Sequence, residues 1–291
     1  MSIIPFDDRD GFIWLDGQLV PWREATTHFL THSLHYGGLI FEGERAYNGK
    51  IFKSHEHSVR LHKSADLIYM DLDISTEDLC AAKYEVLKAN NLENAYIRAA
   101  AWRGAEMMGI DIDGAKTHIA IAAWEWGSYF DPKIRETGIS LKSTKWHKPS
   151  PDCAPVHAKT ASLYNLSCII KVEVKKSGYT DALMLDHEGF VAESTGANIF
   201  FGKGNKLTTP IADRFLNGIT RQTIIELAKA EGIEVEERRI RPEEINDFDE
   251  VFLTGSAAEI TAVGKIDDFI YQVGPLTKKL RDIYEKLVRG Q

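Results

Sequence analysis

The stretch Leu216-Asn217-Gly218-Ile219-Thr220-Arg221 runs through a glycine turn straight into an amphipathic segment that ends near Ala230. A helix starting there leaves its first amide N–H groups without intrahelical partners, and the Thr220 hydroxyl stands beside them, so the turn can receive a phosphate. An ordinary Thr-capped helix is the commoner use of such residues. A second small-residue turn, Thr254-Gly255-Ser256-Ala257-Ala258, follows an apolar run and could offer amides and a hydroxyl to another anion. A plain strand-end turn is the blander explanation. The sequence has no Gly-x-Gly-x-x-Gly after a strand, no Walker loop, no His-Glu-x-x-His and no Gly-x-Ser-x-Gly. Hydride transfer, nucleotide hydrolysis, and serine or zinc hydrolysis lose their usual signatures accordingly.

These turns need elements to carry them. Asp16-Gly17 and Asn48-Gly49 readily supply the positive φ of a tight hairpin. They predict strand pairs over 12–15 with 18–22 and 44–47 with 50–52. Ser54 is placed to cap a helix reaching Ile68, and a further helix fits 77–89. Strands are expected at 95–102, 117–124, 139–145, 181–185, 198–202, 234–239 and 250–253, with helices over 163–176, 220–230 and 275–288. Gly127 to Gly138, with Asp131-Pro132, breaks the periodicity and reads as a linker. The order is neither a βαβ alternation nor a β meander, which predicts an α+β fold in two domains. Their bounds are 1–126, a small N-terminal α/β domain, and 139–291, a larger C-terminal α/β domain, joined by 127–138.

Composition narrows the partners. The 291 residues are 44% hydrophobic and 27% charged, with a net charge of −8. That balance suits a globular protein and argues against nucleic acid or an anionic membrane as partner. Cys80, Cys153 and Cys168 are widely spaced without a CxxC pair, which suggests neither a disulfide framework nor a metal site. No window approaches a membrane span, and the first residues lack a basic region followed by an apolar run, so the cytoplasm is the expected location.

Nine segments together make the pattern specific. They are Leu34-His-Tyr-Gly37, Phe41-Glu-Gly-Glu-Arg-Ala-Tyr47, Glu56-His-Ser-Val-Arg-Leu-His62, Tyr96-Ile-Arg98, Met108-Gly-Ile110, Ala158-Lys-Thr-Ala-Ser-Leu-Tyr164, Ala192-Glu-Ser-Thr-Gly-Ala-Asn-Ile-Phe200, Gly218-Ile-Thr-Arg221 and Gly255-Ser-Ala-Ala-Glu259. In this order and spacing the chain resembles the class IV, fold-type IV aminotransferases, and among them the branched-chain type, over nearly all its length. The resemblance implies a two-domain fold like that of D-amino acid aminotransferase, with most of the cofactor site in the second domain. It also implies pyridoxal 5'-phosphate as cofactor, amino acids and 2-oxo acids as substrates, and a homodimer or higher homo-oligomer.

Residue by residue, the resemblance makes Lys159 the lysine that bonds the cofactor and later moves the proton, a buried amine with a lowered pKa. Glu193 is the carboxylate that faces the ring nitrogen, and Tyr164 bonds the phenolic oxygen. Arg60, Gly218, Ile219, Thr220 and Ser256 hold the phosphate. Tyr36, Phe41, Trp126 and Tyr129 match aromatic walls for the substrate, and Tyr96 with Arg98 the polar contacts. Met108, Gly109 and Ile110 match a loop closing a neighbouring subunit's pocket, and the Ser256 and Ala257 amides hold the α-carboxylate. The chain departs from the common pattern at Ala99, Thr160–Leu163 and Asn217. Related activities on this fold are transamination of D-amino acids or (R)-amines and the lyase chemistry of aminodeoxychorismate lyase. Arg98 and the Met108–Ile110 loop favour the branched-chain type. A non-catalytic binding protein is a further reading, and the intact Lys159 and Glu193 speak against it.

Overall fold

The computed structural model describes residues 4–126 and 134–290. They fall into two compact units, 4–126 with 158–162 and 134–157 with 163–290. The five residues around Lys159 thus pack with the first unit, although they follow the expected linker. That linker region includes a helical turn, 134–137, which belongs to the second unit.

The first unit contains β1 (Phe12–Leu15), β2 (Gln18–Pro21), α1 (His32–Tyr36), β3 (Leu39–Phe41), β4 (Glu44–Tyr47), β5 (Lys50–Ile51), α2 (Ser54–Asp66), α3 (Thr76–Ala89), β6 (Ala95–Arg103) and β7 (Thr117–Glu125). Asp16 and Gly17 take φ values of 47° and 95°, and Asn48 and Gly49 take 50° and 77°, so both hairpin turns form where the sequence predicts them. The strands form one antiparallel sheet in the order β2-β1-β7-β6-β4-β5, with β3 also paired to β6. The long central pair β6–β7 alternates buried and half-buried residues. Its buried Ala95, Ile97, Ala99, Ala101, Ile121 and Ala123 share a core with Leu61 of α2 and with Leu79 and Val86 of α3. Alanines on the strands let the helices come close. Ser54 does not cap α2. Lys53 is the N-cap, in left-handed conformation at φ 52°, and Ser54 is the first helical residue.

The second unit contains α4 (Ile134–Thr137), β8 (Ile139–His147), α5 (Ala161–Lys176), β9 (Asp181–Leu185), β10 (Val191–Glu193), β11 (Asn198–Lys203), β12 (Lys206–Pro210), α6 (Ile219–Ala230), β13 (Glu234–Arg238), β14 (Glu250–Gly255), β15 (Glu259–Ile266), β16 (Phe269–Ile270) and α7 (Pro275–Arg289). Its sheet runs β10-β9-β8-β15-β14-β11-β12-β13. Because β10 pairs with both β9 and β11, six of these strands close on themselves and leave no open edge between them. The sequence predicts no strand between 254 and 274, yet β15 lies in this ring, parallel to β8 and antiparallel to β14. Four consecutive residues, Ile260 to Val263, are buried, so the strand lacks the alternation that marks a half-exposed one. α6 starts at Ile219 with Gly218 as N-cap, placing Thr220 inside the first turn rather than at the cap.

Candidate active site

In the first unit the segment 158–162 lies against β3 and α2. The Lys159 carbonyl accepts from the Phe41 amide at 3.0 Å, and the Lys159 amide donates to Ser64 Oγ on α2 at 3.0 Å. Ile40 and Thr160 form an antiparallel bridge, and Thr160 Oγ1 donates to the Leu39 carbonyl at 3.0 Å. Gly37, at φ 69°, leaves only 3.2 Å between a Cβ and that of Ser162. Thr160 and Ser162 depart from the resembled pattern, and here they pack the lysine segment onto β3.

The Lys159 side chain is half-buried, not fully buried as expected, and its Nζ lies 4.5 Å from the centre of the Phe41 ring. The Arg98 guanidinium faces the same ring at 4.6 Å and donates to Tyr96 Oη at 3.0 Å. Tyr96 packs against Trp126 with ring centres 4.9 Å apart. Lys159, Phe41, Arg98, Tyr96 and Trp126 therefore form one continuous cluster, with cations set among aromatic faces. Gly43 makes room for it, since a Cβ there would stand 2.0 Å from Tyr96 Oη.

Tyr36 lies outside that cluster, its ring tilted against His32 with ring centres 4.6 Å apart. His32 Nε2 in turn bonds the Gly109 carbonyl at 2.8 Å, which ties α1 to the Met108–Ile110 loop. Ile110 is 90% exposed at the tip of this loop. At the loop's base His118 contacts Asp16 at 2.6 Å and Glu106 at 3.4 Å. Tyr129 lies outside the described residues.

Arg60 is gripped side-on by Glu42, with Nε to Oε1 at 2.7 Å and Nη2 to Oε2 at 2.6 Å. His57 Nδ1 completes the arrangement, 2.6 Å from Glu42 Oε2. The side-on pair engages Nε and Nη2 of the guanidinium. Glu42 is fully buried, and burial alone would raise its pKa. The charges and hydrogen bonds of Arg60 and His57 outweigh this and hold its carboxyl well below the usual carboxylate range.

In the second unit Glu193 ends β10 and is 7% exposed. Lys148 Nζ stands 2.7 Å from its Oε1, and Asn198 Nδ2 donates to its Oε2 at 3.0 Å. Both carboxylate oxygens of this buried side chain are therefore engaged. The α6 N-terminus has no side-chain cap, so the amides of its first turn point out unclaimed by any cap. Asn217, where the resembled pattern often has proline, accepts from Arg221 Nη1 at 3.0 Å and steadies this start. Ser256 and Ala257 occupy the tight turn between β14 and β15. Next to them the Thr254 hydroxyl is buried without a hydrogen-bond partner among the described residues. Tyr164 sits half-buried on the first turn of α5.

The sequence alone assigns no role to Glu42, Ser64, Lys148 or Asn198, and it marks Thr254 only as part of a turn that could meet an anion. Glu42 and Asn198 stand inside the quoted segments, and a carboxylate between Phe41 and Gly43 is a visible signal. Ser64 and Lys148 carry none: one is a helix serine, the other a strand-end lysine after Lys142 and Lys145.

The family described as Amino-transferase class IV matches residues 39–266. A relative named probable branched-chain-amino-acid aminotransferase, from Rickettsia conorii, is 44% identical over 99% of this chain and 100% of its own. The solved structure of the T.th. branched-chain amino acid aminotransferase with pyridoxamine 5'-phosphate superposes with a TM-score of 0.94. It is 36% identical and covers 97% of this chain and 95% of that one. The same enzyme complexed with N-(5'-phosphopyridoxyl)-L-glutamate gives a TM-score of 0.92 at 36% identity, over 97% and 95% of the two chains.

The Glu42 geometry yields a stability prediction with a definite pH dependence. Its folded pKa lies below the ordinary value of 4.5, so its stabilisation is complete above that pH and is lost as pH falls through the folded value. Glu42→Gln breaks a buried ion pair and should cost about 3–5 kcal/mol at pH 7. Thermal unfolding from pH 7 down to pH 3 should show the gap between the two proteins closing in acid. A gap that stays constant would mean that the carboxylate charge is not what stabilises this corner.

Proposed function

The chain belongs to the class IV aminotransferases, and from that membership we propose how its residues divide the work of a branched-chain transaminase. The reaction moves the amino group of L-leucine, L-isoleucine or L-valine to 2-oxoglutarate, giving L-glutamate and a branched 2-oxo acid. The observation that carries this reading is Arg98 held between Phe41 and Tyr96, with Lys159 over the same Phe41 ring. Aromatic walls suit an apolar branched side chain, and one guanidinium among them suits the γ-carboxylate of glutamate.

The cofactor is pyridoxal 5'-phosphate. The second unit's residues fit it: an uncapped helix start and the orphaned Thr254 hydroxyl suit a phosphate, and the buried Glu193 suits a protonated ring nitrogen. When bound, this group supplies the aldehyde that exchanges the amino group and a ring that takes up the electron pair released at the substrate Cα. Lys159 Nζ is the amine that would hold the cofactor, and once free it would take the proton from the substrate Cα. Glu193 would face the ring nitrogen, and Lys148 and Asn198 hold its carboxylate in place. Tyr164 holds the phenolic oxygen.

Arg60, Gly218, Ile219, Thr220 and Ser256 would bind the phosphate, and the amides of Ser256 and Ala257 would orient the substrate α-carboxylate. Tyr36 and Tyr129 extend the aromatic walls. The second half-reaction runs the same steps backwards, so the kinetics are ping-pong.

The exposed loop with Met108, Gly109 and Ile110 serves a neighbouring subunit, and the working form is a homodimer or larger homo-oligomer. Ile110, Phe29 and Leu34 expose apolar side chains that such contacts would cover. Among the described residues no helix is long and apolar enough to cross a membrane, and all three cysteines are unpaired, which suits a reducing cytoplasm. Sedimentation at assay concentration should give a dimer or larger. A fully active monomer would contradict the role given to the loop.

Arg98 provides the sharpest kinetic test. A charge-assisted hydrogen bond to a carboxylate contributes about 1.5–3 kcal/mol. Arg98→Met should therefore lower kcat/KM for glutamate and 2-oxoglutarate roughly 10- to 150-fold, since about 1.4 kcal/mol is a decade. The half-reaction with leucine should fall much less. Single-turnover kinetics with each amino acid measures both, and equal losses would assign Arg98 to the fold or the α-carboxylate instead.

A further inference from the structure

We propose that Asn198 is a positioning residue that locks the ring-nitrogen carboxylate and the phosphate-binding helix start into one rigid unit. The proposal rests on the reading of Glu193 and of Gly218 to Thr220 given above.

Asn198 is 4% exposed and joins three stretches of chain through one amide. Its Nδ2 donates to Glu193 Oε2 and to the Leu216 carbonyl, both at 3.0 Å. Its Oδ1 accepts from the Gly218 amide, again at 3.0 Å. An amide has two donor hydrogens and one carbonyl oxygen, so both hydrogens are used and the oxygen is engaged. The orientation is forced. Turning the amide over would set its oxygen against the Glu193 carboxylate and the Leu216 carbonyl, and its NH2 against the Gly218 N–H.

The backbone of Asn198 sits at the same crossing. It is the register partner of Glu193 between β10 and β11, and of Thr254 between β11 and β14. Glu193, the turn before Ser256, and Gly218 at the head of α6 therefore all meet at this residue. Gly218 has an ordinary φ of −62°, so its lack of a side chain serves space rather than backbone freedom. A Cβ there would stand 2.3 Å from Asn198 Oδ1 and expel the bond. The Glu193 carboxylate and the α6 start are thus spaced by one side chain, which is how preorganised sites hold a rigid ligand at two points.

The two ends can be read separately in full-length enzyme freed of cofactor. Pyridoxal probes the ring end alone, and pyridoxal 5'-phosphate probes both ends. Dissociation constants come from absorbance titration, with thermal unfolding as a check on folding.

Asn198→Ala should weaken pyridoxal about tenfold and pyridoxal 5'-phosphate about a hundredfold, one decade for each end, given the usual strength of such hydrogen bonds. Asn198→Asp keeps the acceptor that fixes the Gly218 amide at the helix start and loses the Nδ2 donors to Glu193 and the Leu216 carbonyl. It should weaken both ligands about tenfold and leave their ratio as in the parent protein.

Equal losses for both ligands in Asn198→Ala would overturn the proposal. So would a loss confined to the phosphorylated ligand, or no loss at all. A ratio in Asn198→Asp that falls as far as in Asn198→Ala would overturn it too. Glu193→Gln serves as the control for the underlying reading. If that change leaves pyridoxal binding untouched, the reading of Glu193 fails, independently of Asn198.

Discussion

The peptide group on either side of Lys159 is fixed before its side chain does anything. The carbonyl is held by the Phe41 amide and the amide by Ser64, while Thr160 bridges Ile40. Fixing the backbone of one residue costs about 1–2 kcal/mol of conformational entropy, and here the cost is met during folding. Everything in the first unit's site follows from that pinning. β3 carries Phe41 to the lysine, and β6, paired to β3, carries Arg98 and Tyr96. α2 contributes Ser64 one turn after Arg60, so the helix that anchors the lysine also presents the guanidinium. Glu42, whose amide bonds the Ala99 carbonyl at 2.7 Å, connects the two by gripping Arg60.

The second unit solves a similar problem with side chains. Burying the Glu193 carboxyl group is costly unless its oxygens are satisfied. Lys148 takes one oxygen and Asn198 the other. The turn after Glu193 is stiffened in its own right. Ser194 and Ala197 exchange hydrogen bonds, and Thr195 donates to the buried Asp181 at 2.6 Å, itself paired with Lys171 at 2.7 Å. The closed ring of strands beneath leaves few ways for this turn to shift.

Much of this is legible in the sequence. The Asp16-Gly17 and Asn48-Gly49 hairpins, the helix that follows Lys53, and the strands β6 and β7 come from turn chemistry and periodicity. The α6 start is visible as a glycine turn meeting a Thr, though its N-cap is Gly218. What stays hidden is pairing at long range. Nothing in the local sequence says that Lys148 meets Glu193, far along the chain, or that Ser64 meets Lys159. Strand β15 escapes because burial on both faces erases alternation. Segment 158–162 reads as part of the second half and packs with the first, since hydrogen bonding to β3 and α2 outweighs nearness in sequence.

The central claim is that the pinned lysine, and no other, bonds the cofactor. Borohydride reduction of the loaded enzyme followed by peptide mapping marks whichever amine is bonded. The account predicts that the label sits on Lys159, and that Lys159→Ala holds cofactor only reversibly and without turnover. A label on Lys148, the lysine paired with Glu193, would contradict it.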